Sequence, residues 1–275
     1  QVICDDISRK LETFAFLDER QAFNAADFER KVRELLGRQD RLVVVLNTPN
    51  HNPTGYSLTE ADWDEVMAIV DRHARGEKTI ALLVDTAYLD YVLDPSASRA
   101  FMRKFGRMSP NAIAGFAFSM SKSFTLYGQR TGALIGVSPD REAIGDFVNA
   151  ATITNRARWS NVSRGAMQAM VEIYRDPARL AQVERERRHY VELLDRRAAV
   201  FMEEARAARL DYLPYCGGFF ISVPTSEAKA VSDRLNQRNV FTVPLAKGLR
   251  IAVCAVSTPK MHGLASAIAE AVHPS

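Results

Sequence analysis

The sequence predicts an α/β fold, a mostly parallel sheet sandwiched by helices, with a smaller α+β domain at the C-terminus. Three observations carry this expectation. Four apolar runs, Arg41 to Thr48, Thr79 to Tyr88, Ala112 to Ser121 and Gly132 to Ser138, are continuous rather than alternating, the pattern of strands covered on both faces. Helix-like segments separate them, and such alternation favours parallel pairing. After about residue 175 the alternation gives way to one long helical stretch and then to short strands and helices. The predicted boundaries are 1–175 for the larger domain and 176–275 for the smaller one, which includes the long connecting helix.

The elements are justified in chain order. Between the first two strands, Thr59 is placed to cap a helix and Asp62 to close a capping box, while Trp63, Val66, Ile69 and Val70 line one helical face. Ser138 and Pro139 read as a further helix start, because proline is tolerated in the first helical turn. Asp176-Pro177 opens the long helix to about Arg209, with Leu180, Val183, Tyr190, Leu194 and Phe201 at helical spacing. The segment GGFFISVPT follows as a short strand. A helix from about Ser226 to Gln237, strands near Val240–Val243 and Leu249–Cys254, and a final helix opened by Thr258-Pro259 complete the chain.

Composition narrows the function. The 275 residues are 47% apolar and 25% charged, an ordinary globular balance with enough length to bury a sizeable core. The net charge is only +3, and the densest basic run, Arg185 to Arg188, is interrupted by Glu186, so it reads as a solvated helix face and no nucleic acid is expected. Cys4, Cys216 and Cys254 have neither disulfide-framework nor metal-site spacing, so no metal is expected and a reducing, cytoplasmic setting is. No apolar run reaches membrane-spanning length. The chain begins with Gln1 and soon enters LETFAFLDERQAFNAADF, which reads like the middle of a domain, so an N-terminal portion is expected to precede it.

Four clusters carry chemistry, each beside a strand. The turn NTPNHNPTGYS, Asn47 to Ser57, follows the first strand and would by itself be only a rigid loop. Asp85 ends the second strand, with Tyr88 three residues on; a carboxylate there caps a turn or pairs with a cationic ring nitrogen. SMSKSFTLYGQRTG, Ser119 to Gly132, brings two hydroxyls, Lys122 and Arg130 together just past the third strand. A lysine there either extends its head into solvent or forms a Schiff base with a carbonyl cofactor, and Ser119, Ser121 and Arg130 suit a phosphate dianion. Arg250 opens a strand of the smaller domain, where its fork suits a carboxylate or faces solvent on an edge.

The order of these clusters, a turn with Asn52, then Asp-x-x-Tyr, then Ser-x-Ser-Lys-x₇-Arg, then a distant arginine, resembles the class I aminotransferases of pyridoxal-phosphate (PLP) fold type I, in their aspartate and aromatic group. The resemblance covers essentially the whole chain, and Ser-x-Ser-Lys is its most specific motif. It implies a PLP-transferase large domain and pyridoxal 5'-phosphate as cofactor. It implies that Lys122 forms the Schiff base and moves the proton, that Asp85 pairs with the pyridine nitrogen, and that Asn52 and Tyr88 hydrogen-bond the phenolic oxygen. Ser119, Ser121 and Arg130 would anchor the phosphate, and Arg250, with Asn52, the substrate α-carboxylate. RARWSNVSRG resembles the segment through which one subunit reaches its neighbour's site, with Arg156, or Arg158 beside it, receiving a second carboxylate. A homodimer with shared sites follows from the same resemblance, as do an amino acid and a 2-oxo acid as substrates. The family's phosphate loop and cofactor-stacking aromatic are expected upstream of residue 1.

Two other readings fit the same residues. A PLP-dependent lyase would share most of the site and differ in its products. An aminotransferase-like effector domain of a transcription regulator would carry a winged-helix pattern upstream.

Overall fold

A computed structural model of the chain describes residues 2–273. The short helix α1 (Val2–Asp6) leads through an extended stretch to α2 (Ala25–Leu36), β1 (Arg41–Asn47), α3 (Glu60–His73) and β2 (Thr79–Asp85). A short α4 (Ala97–Ala100) and a 3-10 stretch (Phe101–Arg107) precede β3 (Ala112–Ser119), α5 (Met120–Ser123) and β4 (Gly132–Val137). Three helices follow, α6 (Arg141–Trp159), α7 (Arg164–Arg175) and the long α8 (Pro177–Ala207). The chain then forms β5 (Phe220–Pro224), α9 (Ala228–Asn236), β6 (Val243–Leu245), β7 (Gly248–Ala252), α10 (Thr258–Met261) and α11 (Leu264–Val272).

The first four strands form one sheet in the order β1-β2-β3-β4, parallel except that β4 returns antiparallel to β3. The register sets Asn47 beside Asp85 and Asp85 beside Ala117, which brings the carboxyl ends of three strands level. In parallel sheets that edge is where ligands bind. The last three strands form a separate antiparallel sheet, β5-β7-β6.

The core of the first sheet follows from α3. Thr59 and Asp62 make the reciprocal capping box, which fixes the helix start and turns Trp63, Val66, Ile69 and Val70 inward. Trp63 is 1% exposed and stacks on Phe101 with ring centroids 4.6 Å apart. Phe28, Val32 and Leu36 of α2 pack against the same cluster. A second cluster joins α8, α9 and α11 to the smaller sheet through Leu194, Phe201, Ile221, Val231, Leu249 and Ile268.

Five expectations need correction. The first strand is covered on one face only: Leu42, Val44 and Leu46 are buried, whereas Val43 is 67% and Val45 56% exposed, because α2 and α3 pack on the same side. The helix after β4 starts at Arg141 and is capped by Asp140; Ser138 instead donates to the Ala112 carbonyl. On α8 the inward stripe is Val191, Leu194, Ala198, Phe201 and Ala205, which leaves Tyr190 exposed, one position or about 100° off the stripe. Val240 closes the exit of α9 by donating to the Leu235 carbonyl, so β6 begins only at Val243, with Pro244 tolerated on an edge strand. The final helix is two helices, separated at Gly263, whose φ of 81° breaks the helical path.

Trp63→Ala is expected to cost about 3–5 kcal/mol by opening a cavity in the first core, and Thr59→Ala about 1 kcal/mol by removing one cap. Urea unfolding of the two variants, followed by fluorescence and circular dichroism, checks the ranking.

Candidate active site at the carboxyl ends of the strands

The turn after β1 is tied down from three sides. The Asn47 amide and the Thr48 backbone N–H both donate to the Asp85 carbonyl at 3.1 Å, and the Asn52 N–H donates to Asn47 Oδ1 at 2.7 Å. Asn50 is 1% exposed and in the left-handed region, and its side-chain amide donates to the carbonyls of Tyr88 at 3.2 Å and Tyr91 at 2.7 Å. Gly217 and Gly218 lie against it so closely that a Cβ on either would come within 2.8 and 2.7 Å of Asn50 atoms. Ser222 on β5 donates to the Pro53 carbonyl at 2.8 Å. The first sheet's turn is thereby docked onto the smaller sheet.

That docking brings together groups far apart in sequence. Arg250 Nη1 donates to Asn52 Oδ1 at 3.0 Å, across 198 positions. The Arg250 guanidinium carbon sits 4.4 Å from the Phe220 ring centroid, and its Nε is buried with no hydrogen-bond partner among the described residues. Because β7 is the central strand of its sheet, Arg250 is held firmly rather than frayed at an edge. Asp85 uses Oδ1 to accept from the Ala87 N–H at 3.0 Å, a tight turn that aims the chain at Tyr88. Tyr88 is 5% exposed; burial pushes its phenol up to about 12, Tyr127 and Asp85 push the same way, and the Asn52 amide and Arg250 oppose them.

Lys122 lies in the single turn of α5, directly after β3. Its Nζ is 5.6 Å from the Tyr88 ring centroid and 5.1 Å from that of Tyr127, and it has no ion-pair partner among the described residues. Ser119 caps α5, its Oγ accepting from the Ser121 N–H at 3.2 Å, and Ser121 is buried. Arg130 follows in the left-handed region, and its Nη1 donates to the Tyr127 carbonyl at 2.9 Å. Its backbone stays near Ser119 because Met120 N–H donates to the Thr131 carbonyl at 3.1 Å.

Asn52, Asp85, Tyr88, Lys122 and Arg250 thus share one locality, with Ser119, Ser121 and Arg130 at the start of α5 and the loop facing it. Arg156 is not part of this cluster: it is exposed in the last turn of α6 and reaches only Ser160, at 3.5 Å. Arg158 lies 3.6 Å from Asp6. Sequence reasoning missed Asn50, Tyr91 and Tyr127, and it read Arg187 as part of a solvated helix face, whereas its side chain is only 15% exposed and donates to the Ser123 carbonyl beside Lys122. Tyr127 stood inside the quoted Ser119–Gly132 segment, but nothing in the spacing assigns a ring to the lysine amine. Among the described residues there is no cluster able to hold a metal ion, and no helix is long and apolar enough to cross a membrane.

His51, beside Asn52, contacts Thr54 Oγ1 at 2.8 Å and lies against Phe16 with centroids 4.6 Å apart. Burial lowers its pKa from 6.5 to about 4. Above pH 6.5 both folded and unfolded chains carry it neutral. As pH falls from 6.5 towards 4 only the unfolded chain takes up the proton, so stability is lost over that window and no further below it. Urea unfolding at pH 7 and pH 5 should show the wild type losing about 2 kcal/mol more than His51→Gln.

The family model "Aminotransferase class I and II" matches residues 2–268. The aromatic-amino-acid aminotransferase of Escherichia coli is 28% identical over 264 residues, 94% of this chain and 63% of that protein. A tyrosine aminotransferase of Klebsiella pneumoniae is 27% identical over 94% of this chain and 63% of its own length. The chain therefore spans a little under two thirds of these curated relatives. An aminotransferase from Anaerococcus prevotii superposes with a TM-score of 0.96 at 36% identity, over 99% of this chain and 66% of that one. An aromatic-amino-acid aminotransferase of Burkholderia pseudomallei, whose structure is covalently bound to pyridoxal phosphate, shares the fold with a TM-score of 0.80 at 22% identity, over 98% of this chain and 66% of that one. With its parallel sheet, its lysine-bearing turn after β3 and a family match over nearly its whole length, this chain belongs to the class I and II aminotransferases.

Proposed function

We propose that this chain moves an amino group between an amino acid and a 2-oxo acid, with pyridoxal phosphate as cofactor and Lys122 as its covalent anchor. The observation that carries the reading is the meeting of an unpaired lysine amine, two tyrosine rings and an arginine held by Asn52 and Phe220 at one edge of a parallel sheet. The residues suit the cofactor: a strand-end carboxylate for a ring nitrogen, an amide and a phenol for a ring oxygen, and two hydroxyls with a nearby guanidinium for a phosphate. The relative from Burkholderia that binds this cofactor supports the assignment at the level of fold.

When bound, the cofactor supplies an electron-withdrawing ring that takes up the charge left on the substrate Cα. The side chains divide the remaining work. Asp85 would hold a proton on the ring nitrogen, and Asn52 and Tyr88 would hydrogen-bond the ring oxygen. Ser119, Ser121 and Arg130 would hold the phosphate. Arg250 takes the substrate α-carboxylate through its fork, which Phe220 and Asn52 orient. This fixes the Cα–H bond towards the lysine. The Lys122 amine, once the substrate's amino group has displaced it from the cofactor, would take the Cα proton as a general base and deliver it to the cofactor's C4′ as an acid.

The finer assignments belong to the same reading. Arg156 stands exposed on α6 beside exposed Val148, Ile153 and Trp159, an apolar surface that supports a homodimer in which Arg156 serves the neighbouring site. The two separate cores support the division into domains near residue 175. The free thiols of Cys4, Cys216 and Cys254 support a cytoplasmic setting.

The test is a visible absorbance spectrum of the chain with added pyridoxal phosphate, before and after an amino donor. A yellow band that bleaches with glutamate or phenylalanine, yields the keto acid and vanishes in Lys122→Ala is expected. Arg250→Lys should keep the band and raise KM for the donor by about tenfold or more, since it loses the fork. Release of ammonia and pyruvate from a donor that carries a leaving group on Cβ, such as a cysteine S-conjugate, would make the chain a lyase, and a band deaf to every donor would make it a ligand sensor.

A further inference from the structure

Lys122 and Ser123 are the last two residues of the one-turn helix α5, and both backbone carbonyls are held by side chains from outside that helix. The Tyr91 hydroxyl donates to the Lys122 carbonyl at 3.0 Å. Arg187, from α8, donates twice to the Ser123 carbonyl, from Nε at 3.2 Å and from Nη2 at 2.9 Å. The same guanidinium lies 5.3 Å from the Phe124 ring centroid and keeps Nη1 3.6 Å from Asp90 Oδ1. Asp90 is only 6% exposed and is also hydrogen-bonded by Arg99.

The chemistry of this arrangement is specific. A buried carboxylate is costly unless paired, so Asp90 fixes Arg187 where it stands. A cation suits the carbonyl end of a helix; the Lys122 carbonyl also accepts from the Phe124 N–H and, at 3.0 Å, from the Thr125 N–H, so the Tyr91 hydroxyl adds to a turn the chain has already begun. Tyr91 is itself buried, with its ring 4.6 Å from Phe219 and its amide donating to the Tyr88 carbonyl at 2.9 Å. Burial pushes its phenol upward, so the hydroxyl keeps its proton and stays a donor. The lysine's backbone is therefore gripped by one side chain from the first sheet's edge and one from the long helix, neither of which bears on the amine itself.

We propose that Tyr91 and Arg187, the latter fixed by Asp90, are positioning residues that lock the Lys122 backbone so that its amine is held between Tyr88 and Tyr127. The inference rests on the proposed role of Lys122 as the reactive amine. Without the grip, α5 is a single turn with little stability of its own, and the amine samples directions that miss the site.

The experiment reads the amine directly. The full chain is incubated with free pyridoxal, whose aldehyde condenses with a lysine amine with loss of water. Borohydride then delivers hydride to the resulting C=N bond, leaving a stable secondary amine. Peptide mass spectrometry follows labelling at Lys122, with exposed Lys229 as an internal reference. Hydrogen exchange of the amides of residues 120–126 is recorded alongside. Arg187→Met is expected to slow labelling of Lys122 by about tenfold, the equivalent of one charge-assisted hydrogen bond, to leave Lys229 unchanged and to speed exchange in 120–126. Arg187→Lys, which keeps the charge and a single donor, should recover part of the rate. Tyr91→Phe removes only the hydroxyl, preserves the packing and should slow labelling by about threefold. Wild-type labelling in Arg187→Met and Tyr91→Phe would overturn the inference alone, whatever happens to the melting point. Labelling of Lys122 no faster than Lys229 in the wild type would overturn the proposed function and this inference with it.

Discussion

The candidate site depends on the burial of one side chain, Asn50. Its amide is spent on two carbonyls of the segment after β2, while its body is the surface on which Gly217 and Gly218 rest. A turn of the first sheet, the tyrosine-bearing segment and the start of the smaller sheet therefore meet at one residue. Any side chain at the two glycines would force these layers apart, and their φ values of 151° and 85° already disfavour one. Arg250 reaches Asn52 only because this contact is tight.

Around that contact the two sheets contribute unlike things. The parallel sheet supplies level strand ends, so Asn47, Asp85 and the chain after Ala117 emerge side by side, and each is followed by a turn that carries a polar group forward. The antiparallel sheet supplies a rigid central strand on which one arginine is mounted against an aromatic ring. Neither sheet alone holds both the Lys122 amine and the Arg250 fork. The long helix α8 belongs to the second core yet reaches back to Ser123, so the lysine-bearing turn is braced by the same element that packs on the smaller sheet.

Much of this was legible in the sequence, because the signals were local. Thr59 and Asp62 declare a helix start through three-residue spacing, and the alternation of apolar runs declares a parallel sheet. Lys122, Asp85, Asn52 and Arg250, which the fold brings to one locality, stood out because each sits beside a strand within a recognisable motif. What stayed hidden is long-range. Nothing near Arg187 indicates that it will meet a carbonyl 64 positions earlier, and Asn50 looks like any turn asparagine until its partners are known. The coverage of β1 was misread for the same reason: Val43 and Val45 are as apolar as Leu42 and Val44, and hydrophobicity alone does not say on which face a helix will lie. Tyr190 failed differently, since its spacing was nearly right but one position along a helix turns a side chain away from the core.

The energetics of Arg250 explain why such a site is built across two layers. Its guanidinium is half-withdrawn from water, with one nitrogen on Asn52 and another buried without a partner. An open buried donor costs a folded chain about 1–3 kcal/mol, and more when charged. The aromatic face of Phe220 returns part of this through its cation–π contact. On the proposed function, an incoming carboxylate would bind the guanidinium's other donors, already held in place, and so would gain more from this arginine than from a freely hydrated one. The strain is tolerable because the Asn50 contact and the cores on either side hold the fork in place whether or not anything is bound. On the same reading, the stability surrendered at one buried nitrogen would keep the fork oriented for an anion of the right shape, and residues far from that nitrogen keep it from turning to solvent.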